Sequence, residues 1–309
     1  MILVVNLNAS LDKKYNLADF AKGQVVRARS VQNTPGGKGL HVANVATILG
    51  EDCVATGLLG GKTGAFIADA LQAYGIRQDF VQIQGETRSC LAIITDDGAQ
   101  TEILEPGPMV SRDEQTVFLS KYEELLKQAE IVVASGSVPQ GVGDDFYAGL
   151  IETARRHGRR FLLDTSRNLL ACGIEARPFF IKPNTDEIAA LTGHTVASDA
   201  DVIREVRSFM QAGIGLAVVS RGAVGSIAGF GGKIYKVQVP KIQAVNPVGS
   251  GDSYVAGTAV ALQRGLNIID TLKLAAACGT ANAMEAESGF VQKQTVESLL
   301  DQIKVEEIG

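Results

Sequence analysis

Short apolar runs alternate with segments of helical spacing along most of the 309 residues. The apolar runs are rich in β-branched residues, which is typical of strands that are buried on both faces. They cover residues 2–7, 53–59, 131–134, 161–163, 179–181 and 216–219. Helices are predicted between them at 38–49, 63–74, 111–129, 144–157, 184–192 and 199–212. The repeated strand–helix order predicts an α/β fold with a mainly parallel sheet sandwiched by helices.

Two segments, 13–34 and 85–105, break this pattern. They contain stretches in which apolar and polar residues alternate, and a turn is predicted at Asp96-Asp97-Gly98. A period of two is typical of strands with one exposed face. We therefore expect antiparallel strands outside the main sheet, forming a small β lid from two insertions in a single domain that spans residues 1–309.

Composition narrows the class of function. A net charge of −5, a pI near 5.4 and the lack of a basic run argue against nucleic acid as a partner. A small anionic substrate is still compatible, since a few focused cations outweigh a mildly acidic surface. The N-terminus has no basic region, and no apolar run approaches the roughly 18 residues of a membrane span. We expect a cytoplasmic protein with no membrane partner.

The strongest chemical signal is the turn Asn246-Pro-Val-Gly249-Ser250-Gly251-Asp252, which leads into an apolar, small-residue helix. Backbone N–H groups at such a turn and the helix N-terminus together form an anion hole. Asp252 lies in the first helical turn beside that hole and is a candidate general base. The alternative is that Asp252 only caps the helix.

A second glycine cluster, Pro35-Gly36-Gly37-Lys38-Gly39, also precedes a predicted helix. Adjacent glycines allow close backbone approach to a ligand, and Lys38 has the reach to contact an anion. A flexible turn with a solvated lysine explains the pattern equally well. His41, one turn further on, is a candidate substrate contact.

Other candidates follow predicted strands. Asn184 and Glu187 have capping-box spacing after Lys182, yet a carboxylate and an amide at a strand end also suit Mg²⁺ and its waters. The segment Ser220-Arg221-Gly222-Ala-Val-Gly225 suits a loop that holds a triphosphate, or a hairpin turn. Asp12 and Arg88 lie at the inner edges of the proposed lid, where a carboxylate would accept sugar hydroxyls and an arginine would bind a phosphate.

These motifs together resemble the PfkB/ribokinase family of carbohydrate kinases. Gly36 to Gly39 resembles the N-terminal signature of the family, and Asn246 to Asp252 with Val255-Ala-Gly257 resembles the C-terminal one. The resemblance covers essentially the whole chain and implies a ribokinase-like fold. Within the family, the chain is most similar to the tagatose-6-phosphate kinase and 1-phosphofructokinase branch.

The resemblance implies a role for each matching residue. Asp252 would deprotonate the acceptor hydroxyl, and the anion hole would come from Gly249, Ser250 and Gly251. The sugar phosphate would be held by Asp12, Gly36, Gly37, Lys38, His41, Arg88 and Ser137. The nucleotide phosphates of ATP would lie near Asp164, Lys182, Ser220, Arg221, Gly222 and Gly225, with Asn184 and Glu187 serving Mg²⁺ and Asn282 beside the adenine. The family also implies a homodimer through the β lid, in which Arg27 would reach the neighbouring site.

The chain departs from the family pattern at three positions. His41 stands where the family often has Asn, Ala9 where it often has Pro, and Arg221 where Leu is common. The first departure falls in the expected sugar-phosphate pocket.

The expected reaction is transfer of the ATP γ-phosphoryl group to a ketohexose phosphate. The first choice of acceptor is tagatose 6-phosphate, giving the 1,6-bisphosphate, and the alternative is fructose 1-phosphate. Two other classes stay open from the sequence: a non-catalytic sugar-phosphate sensor, and a Walker-type NTPase built on Gly61-Lys62-Thr63. The latter is a near miss, because the glycine that the Walker pattern needs is Thr56.

Overall fold

A computed structural model describes all 309 residues and contains fifteen strands and ten helices. The strands are β1 (Ile2–Asn6), β2 (Ser10–Asn16), β3 (Ser30–Gly36), β4 (Cys53–Gly60), β5 (Arg77–Gln78), β6 (Val81–Ile83), β7 (Arg88–Ile94), β8 (Gln100–Leu104), β9 (Ile131–Ser135), β10 (Arg160–Asp164), β11 (Phe180–Ile181), β12 (Leu216–Ser220), β13 (Ser226–Phe230), β14 (Lys233–Gln238) and β15 (Lys304–Glu307). The helices are α1 (Lys38–Ile48), α2 (Gly61–Ala73), α3 (Arg112–Leu126), α4 (Phe146–Arg156), α5 (Arg167–Glu175), α6 (Thr185–Thr192), α7 (Asp199–Gln211), α8 (Ser250–Gln263), α9 (Ile268–Ala283) and α10 (Lys293–Leu300). None of these helices is long and apolar enough to cross a membrane.

The main sheet has the strand order β15-β14-β13-β12-β11-β10-β9-β1-β4-β5, with β6 also paired to β4. All neighbouring pairs from β12 to β5 are parallel. The mainly parallel sheet is therefore confirmed. The sheet ends in three strands, β13 to β15, that pair in antiparallel fashion and that the sequence pattern did not predict.

Helices cover both faces of this sheet, and β1 shows how the sequence specifies this. Ile2 and Val4 point into one core layer, while Leu3 and Val5 point into the other. Helices α1, α2, α8, α9 and α10 supply the first layer, and α3 to α7 supply the second. A central strand buried on both faces must be apolar at every position, which explains its continuous hydrophobic run.

A second sheet of four strands has the order β3-β2-β7-β8. Its two hairpins, β2–β3 and β7–β8, are antiparallel, but β2 and β7 pair in parallel. The expectation of purely antiparallel strands is wrong at this pair. The cause lies in the main sheet: β1 and β6 both run parallel to β4, and β2 and β7 continue from them in the same direction.

Candidate active site

Polar residues gather where strands of the main sheet end. Asn6 closes β1, Ser135 closes β9 and Asp164 closes β10, while Lys182 follows β11. All four side chains are buried. Parallel neighbours end at one edge of a sheet, so residues that are far apart in sequence meet there. The N-terminus of α8 lies at the same edge, because a Cβ added to Gly251 would be 3.2 Å from the Lys182 Nζ.

The turn before α8 has the geometry of an anion hole. Gly249 adopts a left-handed conformation with φ +85°, and a Cβ there would lie 2.5 Å from the Gly289 nitrogen. Backbone N–H groups of Ser250 and Ser253 donate to the carbonyls of Pro247 and Gly249. The N–H groups of Gly251 and Asp252 are then the free donors of the first turn, at the positive end of the helix dipole.

Asp252 is buried in the first turn of α8, with 6 % of its surface exposed. No side chain caps this helix, so the capping interpretation of Asp252 is wrong. The carboxylate instead pairs with His41, whose Nδ1 lies 2.7 Å from the Asp252 Oδ2. Burial lowers the pKa of His41, but the hydrogen bond and charge of Asp252 outweigh burial and raise it above its usual value. Sequence reasoning placed His41 in the pocket and missed this partner.

Beside the anion hole lie two lysines and one carboxylate. The Asp164 Oδ1 is 3.2 Å from the Lys182 Nζ, and its Oδ2 is 3.6 Å from the Lys38 Nζ. Burial acts to raise the pKa of Asp164, but the two lysines hold it below its usual value. Asp164 in turn raises the pKa of Lys38. The arrangement places two ammonium groups near the α8 N-terminus, which suits phosphoryl groups.

On the other side of Asp252, the glycine cluster packs against Asp12 and Asn6. Ser10 donates to the Asp12 Oδ1 at 2.6 Å, and a Cβ at Gly36 would collide with the Asp12 carboxyl. Gly37 has φ +113° and lies over Asn6, whose Nδ2 is buried without a hydrogen-bond partner. Only glycine permits this close packing. Asn6 was not singled out from the sequence, because an asparagine at the end of an apolar strand carries no motif.

Arg88 and Ser137 both form hydrogen bonds with Asn8, which follows β1 near this part of the site. The Arg88 Nε donates to the Asn8 carbonyl at 3.1 Å, and its Nη1 donates to the Glu105 carbonyl at 2.8 Å. Asn8 donates from its Nδ2 to the Ser137 hydroxyl at 3.0 Å. Since Asn8 follows β1 and Arg88 begins β7, these bonds join the second sheet to the main one. Contact of Arg88 and Ser137 with a sugar phosphate stays a prediction.

Asn184 and Glu187 form the capping box of α6. The Asn184 Oδ1 accepts from the Glu187 N–H at 2.8 Å, and the Glu187 Oε2 accepts from the Asn184 N–H at 2.9 Å. The capping interpretation is confirmed, but it leaves the Glu187 Oε1 for a cation or its waters. Across the structure, no three His, Cys, Asp or Glu side chains cluster as a metal cage. Such a sparse donor set fits Mg²⁺, which keeps several waters and substrate phosphates as ligands.

The segment from Ser220 to Gly225 forms the hairpin turn between β12 and β13. Gly222 and Gly225 have φ of +58° and +97°, and a short 3₁₀ turn lies between them. Ser220 pairs with Asn184, which brings this turn next to the capping box. The Arg221 Nη1 binds the Asp199 Oδ1 at 2.7 Å, and its expected contact with a nucleotide phosphate stays a prediction.

Asn282 lies beneath the turn that precedes α8. Its side chain is fully buried and is used for internal hydrogen bonds, and its expected place beside the adenine stays a prediction. The Oδ1 accepts from the Ser253 hydroxyl at 3.0 Å and from the Gly289 N–H at 2.8 Å, and the Nδ2 donates to the Val248 carbonyl at 2.9 Å. Asn282 therefore holds the glycine turn in place from beneath.

A carboxylate occupies the alternative Walker-type site and argues against it. Gly61-Lys62-Thr63 begins α2, and the carboxylate of Glu86 accepts from the N–H groups of Thr63 at 2.7 Å and Lys62 at 3.3 Å. A phosphate would need these same donors. The Thr63 N–H also lowers the pKa of Glu86, so the carboxylate stays ionised and in place.

At the carboxyl ends of the parallel strands, a buried carboxylate lies at a helix N-terminus with ammonium groups beside it. This arrangement is typical of phosphotransferases that act on small molecules. A model of the pfkB family carbohydrate kinases matches residues 5–294. The chain belongs to this family and is an ATP-dependent sugar kinase. The sensor interpretation is thereby set aside.

Similar solved structures agree with this assignment. A Staphylococcus aureus protein provisionally assigned as a phosphofructokinase is 32% identical, with 100% of this chain and 99% of that one covered and a TM-score of 0.87. A Thermotoga maritima protein provisionally assigned as a 1-phosphofructokinase is 27% identical, covers 100% of both chains and has a TM-score of 0.90. Phosphofructokinase-2 from Escherichia coli, at 24% identity, covers 97% and 98% with a TM-score of 0.91 and shows the shared fold.

Proposed function

We propose that this protein transfers the γ-phosphoryl group of ATP to a hydroxyl of a ketohexose phosphate, with Asp252 as the general base. One observation carries the proposal. Asp252 is buried at the first turn of α8 without capping it, and the cations of Lys38 and Lys182 lie alongside. A carboxylate that makes no capping hydrogen bond and lies beside phosphate-binding groups suits proton abstraction.

In the proposed reaction, Asp252 takes the proton of the acceptor hydroxyl while that oxygen bonds to the γ-phosphorus. The bond to the bridging oxygen breaks, and ADP leaves with the electron pair. The free N–H groups of Gly251 and Asp252, with Lys182, stabilise the charge on the transferred group. Mg²⁺ would be held by Glu187 and Asn184, where it would neutralise charge on the nucleotide phosphates.

Tagatose 6-phosphate is the proposed acceptor, giving the 1,6-bisphosphate. Lys38 and Arg88 would bind the existing phosphate, which leaves the hydroxyl at the other end of the furanose near Asp252. Fructose 1-phosphate is the second candidate, because a furanose turned end for end presents its other primary hydroxyl at nearly the same place. The similarity to the Thermotoga maritima protein favours this alternative.

A coupled ADP-release assay tests the substrate class. It compares kcat/KM for tagatose 6-phosphate, fructose 6-phosphate, fructose 1-phosphate, ribose and adenosine. We expect a phosphorylated ketohexose to lead by at least about tenfold, which corresponds to about 1.4 kcal/mol of transition-state binding. Preference for an unphosphorylated acceptor would contradict the roles of Lys38 and Arg88.

The variant Asp252→Asn tests the base. We expect kcat to fall by about 10²–10⁴-fold, because the amide cannot accept the proton. The matched control is Asp270→Asn, since Asp270 holds the same position in the first turn of α9 but is exposed. Near-normal turnover of Asp252→Asn, with the control also active, would refute the assignment.

We also propose that the protein is a homodimer through the second sheet. The outer strands of that sheet expose Val31, Ile103 and Leu104 at 51%, 48% and 63%. Exposed apolar side chains on a sheet favour association with another chain. Arg27, in the exposed segment before β3, would then contribute to the neighbouring site. Light scattering of Ile103→Glu tests this, and a monomeric wild-type protein would contradict it.

A further inference from the structure

His41 and Asp252 form a buried pair that the reaction does not by itself require. They come from α1 and α8, 211 residues apart in sequence, and their side chains are only 14% and 8% exposed. A carboxylate accepts hydrogen bonds but cannot donate them, so the Nδ1 of His41 carries the proton at 2.7 Å. This bond occupies the Oδ2 of Asp252 and leaves the Oδ1 for an acceptor hydroxyl.

The Gly289 segment packs against the imidazole of His41 and restricts its orientation. Gly289, in the segment after α9, has φ +65°, and a Cβ there would collide with the His41 side chain. Asn44, one turn further along α1, donates from its Nδ2 to the Gly289 carbonyl at 2.9 Å. The ring therefore has little freedom to turn away, and its hydrogen bond fixes the orientation of the Asp252 carboxylate.

We propose that His41 is a positioning residue for Asp252, and that its protonation state sets how readily Asp252 accepts the proton of the acceptor hydroxyl. The proposal rests on the function given above, in which Asp252 is the base. The imidazolium beside a carboxylate favours the ionised carboxylate and so weakens it as a proton acceptor. Loss of the His41 proton removes that charge but keeps the Nδ1–H bond.

The charges around the ring set the pH at which this change happens. Asp252 on α8 and Asp12 on β2 both favour the imidazolium, while burial and the ammonium of Lys38 on α1 oppose it. The segment at Gly289 contributes backbone only. The balance raises the pKa of His41 above its ordinary value, so the proton is lost at a higher pH than from a free imidazole.

Kinetics give the first test, through the pH dependence of kcat/KM in the wild type and in His41→Asn. Asparagine can donate the same hydrogen bond but has no proton to lose. We expect the fall in kcat/KM from pH 8.5 to pH 6 to be on the order of tenfold larger in the wild type than in the variant. The substrate phosphate titrates near pH 6 as well, but equally for every variant. The exposed His157, changed to Asn, is the matched control and should keep the wild-type profile.

Nuclear magnetic resonance gives a second test that needs no turnover. His157→Asn and His194→Asn assign the imidazole signals of the three histidines, and His41 is then titrated in the wild type and in Asp252→Asn. We expect the pKa of His41 to lie above the ordinary imidazole value in the wild type and to fall in Asp252→Asn, because the charge of Asp252 raises it. This measurement stands even if His41→Asn fails to fold.

The outcomes separate this inference from the proposed function. A His41 titration that is unchanged in Asp252→Asn overturns the pairing, whatever the enzyme phosphorylates. Superimposable pH profiles of the wild type and His41→Asn overturn the effect on the base, while turnover of a sugar phosphate still supports the function. Absence of turnover with every acceptor, together with a shifted His41 titration, refutes the function and leaves the pairing intact.

Discussion

A methyl group added at Gly251 separates the binding role of the glycine turn from its structural role. Gly251 is the second residue of α8, and its φ is outside the left-handed region. The new Cβ would meet only the Lys182 Nζ at 3.2 Å and Cε at 3.8 Å, which are the far end of a flexible side chain. Alanine in a helix gains about 0.5–1 kcal/mol over glycine. We expect the stability of Gly251→Ala to stay within about 1 kcal/mol of the wild type, a shift of no more than about 2–4 °C in Tm.

Activity should respond very differently. The methyl group would lie between the free N–H groups of the turn and the Lys182 ammonium, where the transferred phosphoryl group is proposed to bind. The N–H groups are kept, but a methyl group that displaces the phosphoryl group from one such donor should cost about as much as losing the donor, which typically lowers kcat by about 10²–10³-fold. The coupled ADP-release assay measures this loss, and calorimetry measures the Tm of the same sample. Gly149→Ala is the matched control, since Gly149 is in α4 with open space around its Cβ position.

Gly249→Ala completes the comparison, because Gly249 has φ +85° and its Cβ would meet the Gly289 backbone nitrogen. Left-handed strain costs about 1–2 kcal/mol before that collision is counted, so its Tm should fall by several degrees. Near-normal kcat in Gly251→Ala would show that the turn does not bind the phosphoryl group. A large drop in its Tm would show that the turn is mainly structural.

Three further predictions concern charged residues. Lys62→Ala should keep kcat within about twofold, since exposed substitutions away from the site have small effects; abolished activity would restore the Walker interpretation. Lys182→Met should lower the free energy of unfolding in urea by about 3–5 kcal/mol, because it leaves the buried Asp164 short of a partner; an unchanged midpoint would contradict this. The raised pKa of His41 stabilises the folded state below the ordinary imidazole pKa, and this contribution is lost as pH rises through the raised value. Urea unfolding should therefore show the largest gap between the wild type and His41→Asn near pH 5–6, and a gap that grows with pH would contradict the sign.

Local signals in the sequence predicted the longer parallel strands of the main sheet and most of the helices between them, and missed β13 to β15 and the two C-terminal helices. The strand predicted at 53–59 is Cys53–Gly60, and the helix predicted at 199–212 is Asp199–Gln211. Both depend on neighbouring residues, through periodicity and capping. The parallel pairing of β2 with β7 could not be predicted this way, because it depends on where β1 and β6 leave the main sheet.

The candidate site also combines features that depend on neighbouring residues with features that depend on tertiary contacts. The position of Asp252 at a glycine-rich helix start is a local feature, and so is the place of each polar residue directly after an apolar strand. Whether a side chain faces a ligand or a neighbour is a tertiary matter. Arg221 binds Asp199 and Asn282 supports the turn, and neither contact leaves a trace in the residues around them.

By itself, the sequence determined an α/β fold with a glycine-rich helix start at Gly249 to Asp252, since periodicity and turn geometry act between residues that are close along the chain; the kinase expectation came from the resemblance of its motifs to a known family. The tertiary structure decided that Asp252 caps nothing and pairs with His41 across 211 residues. Burial and the packing of Gly289 create that contact, and they exist only after the helices from the two halves of the chain have met.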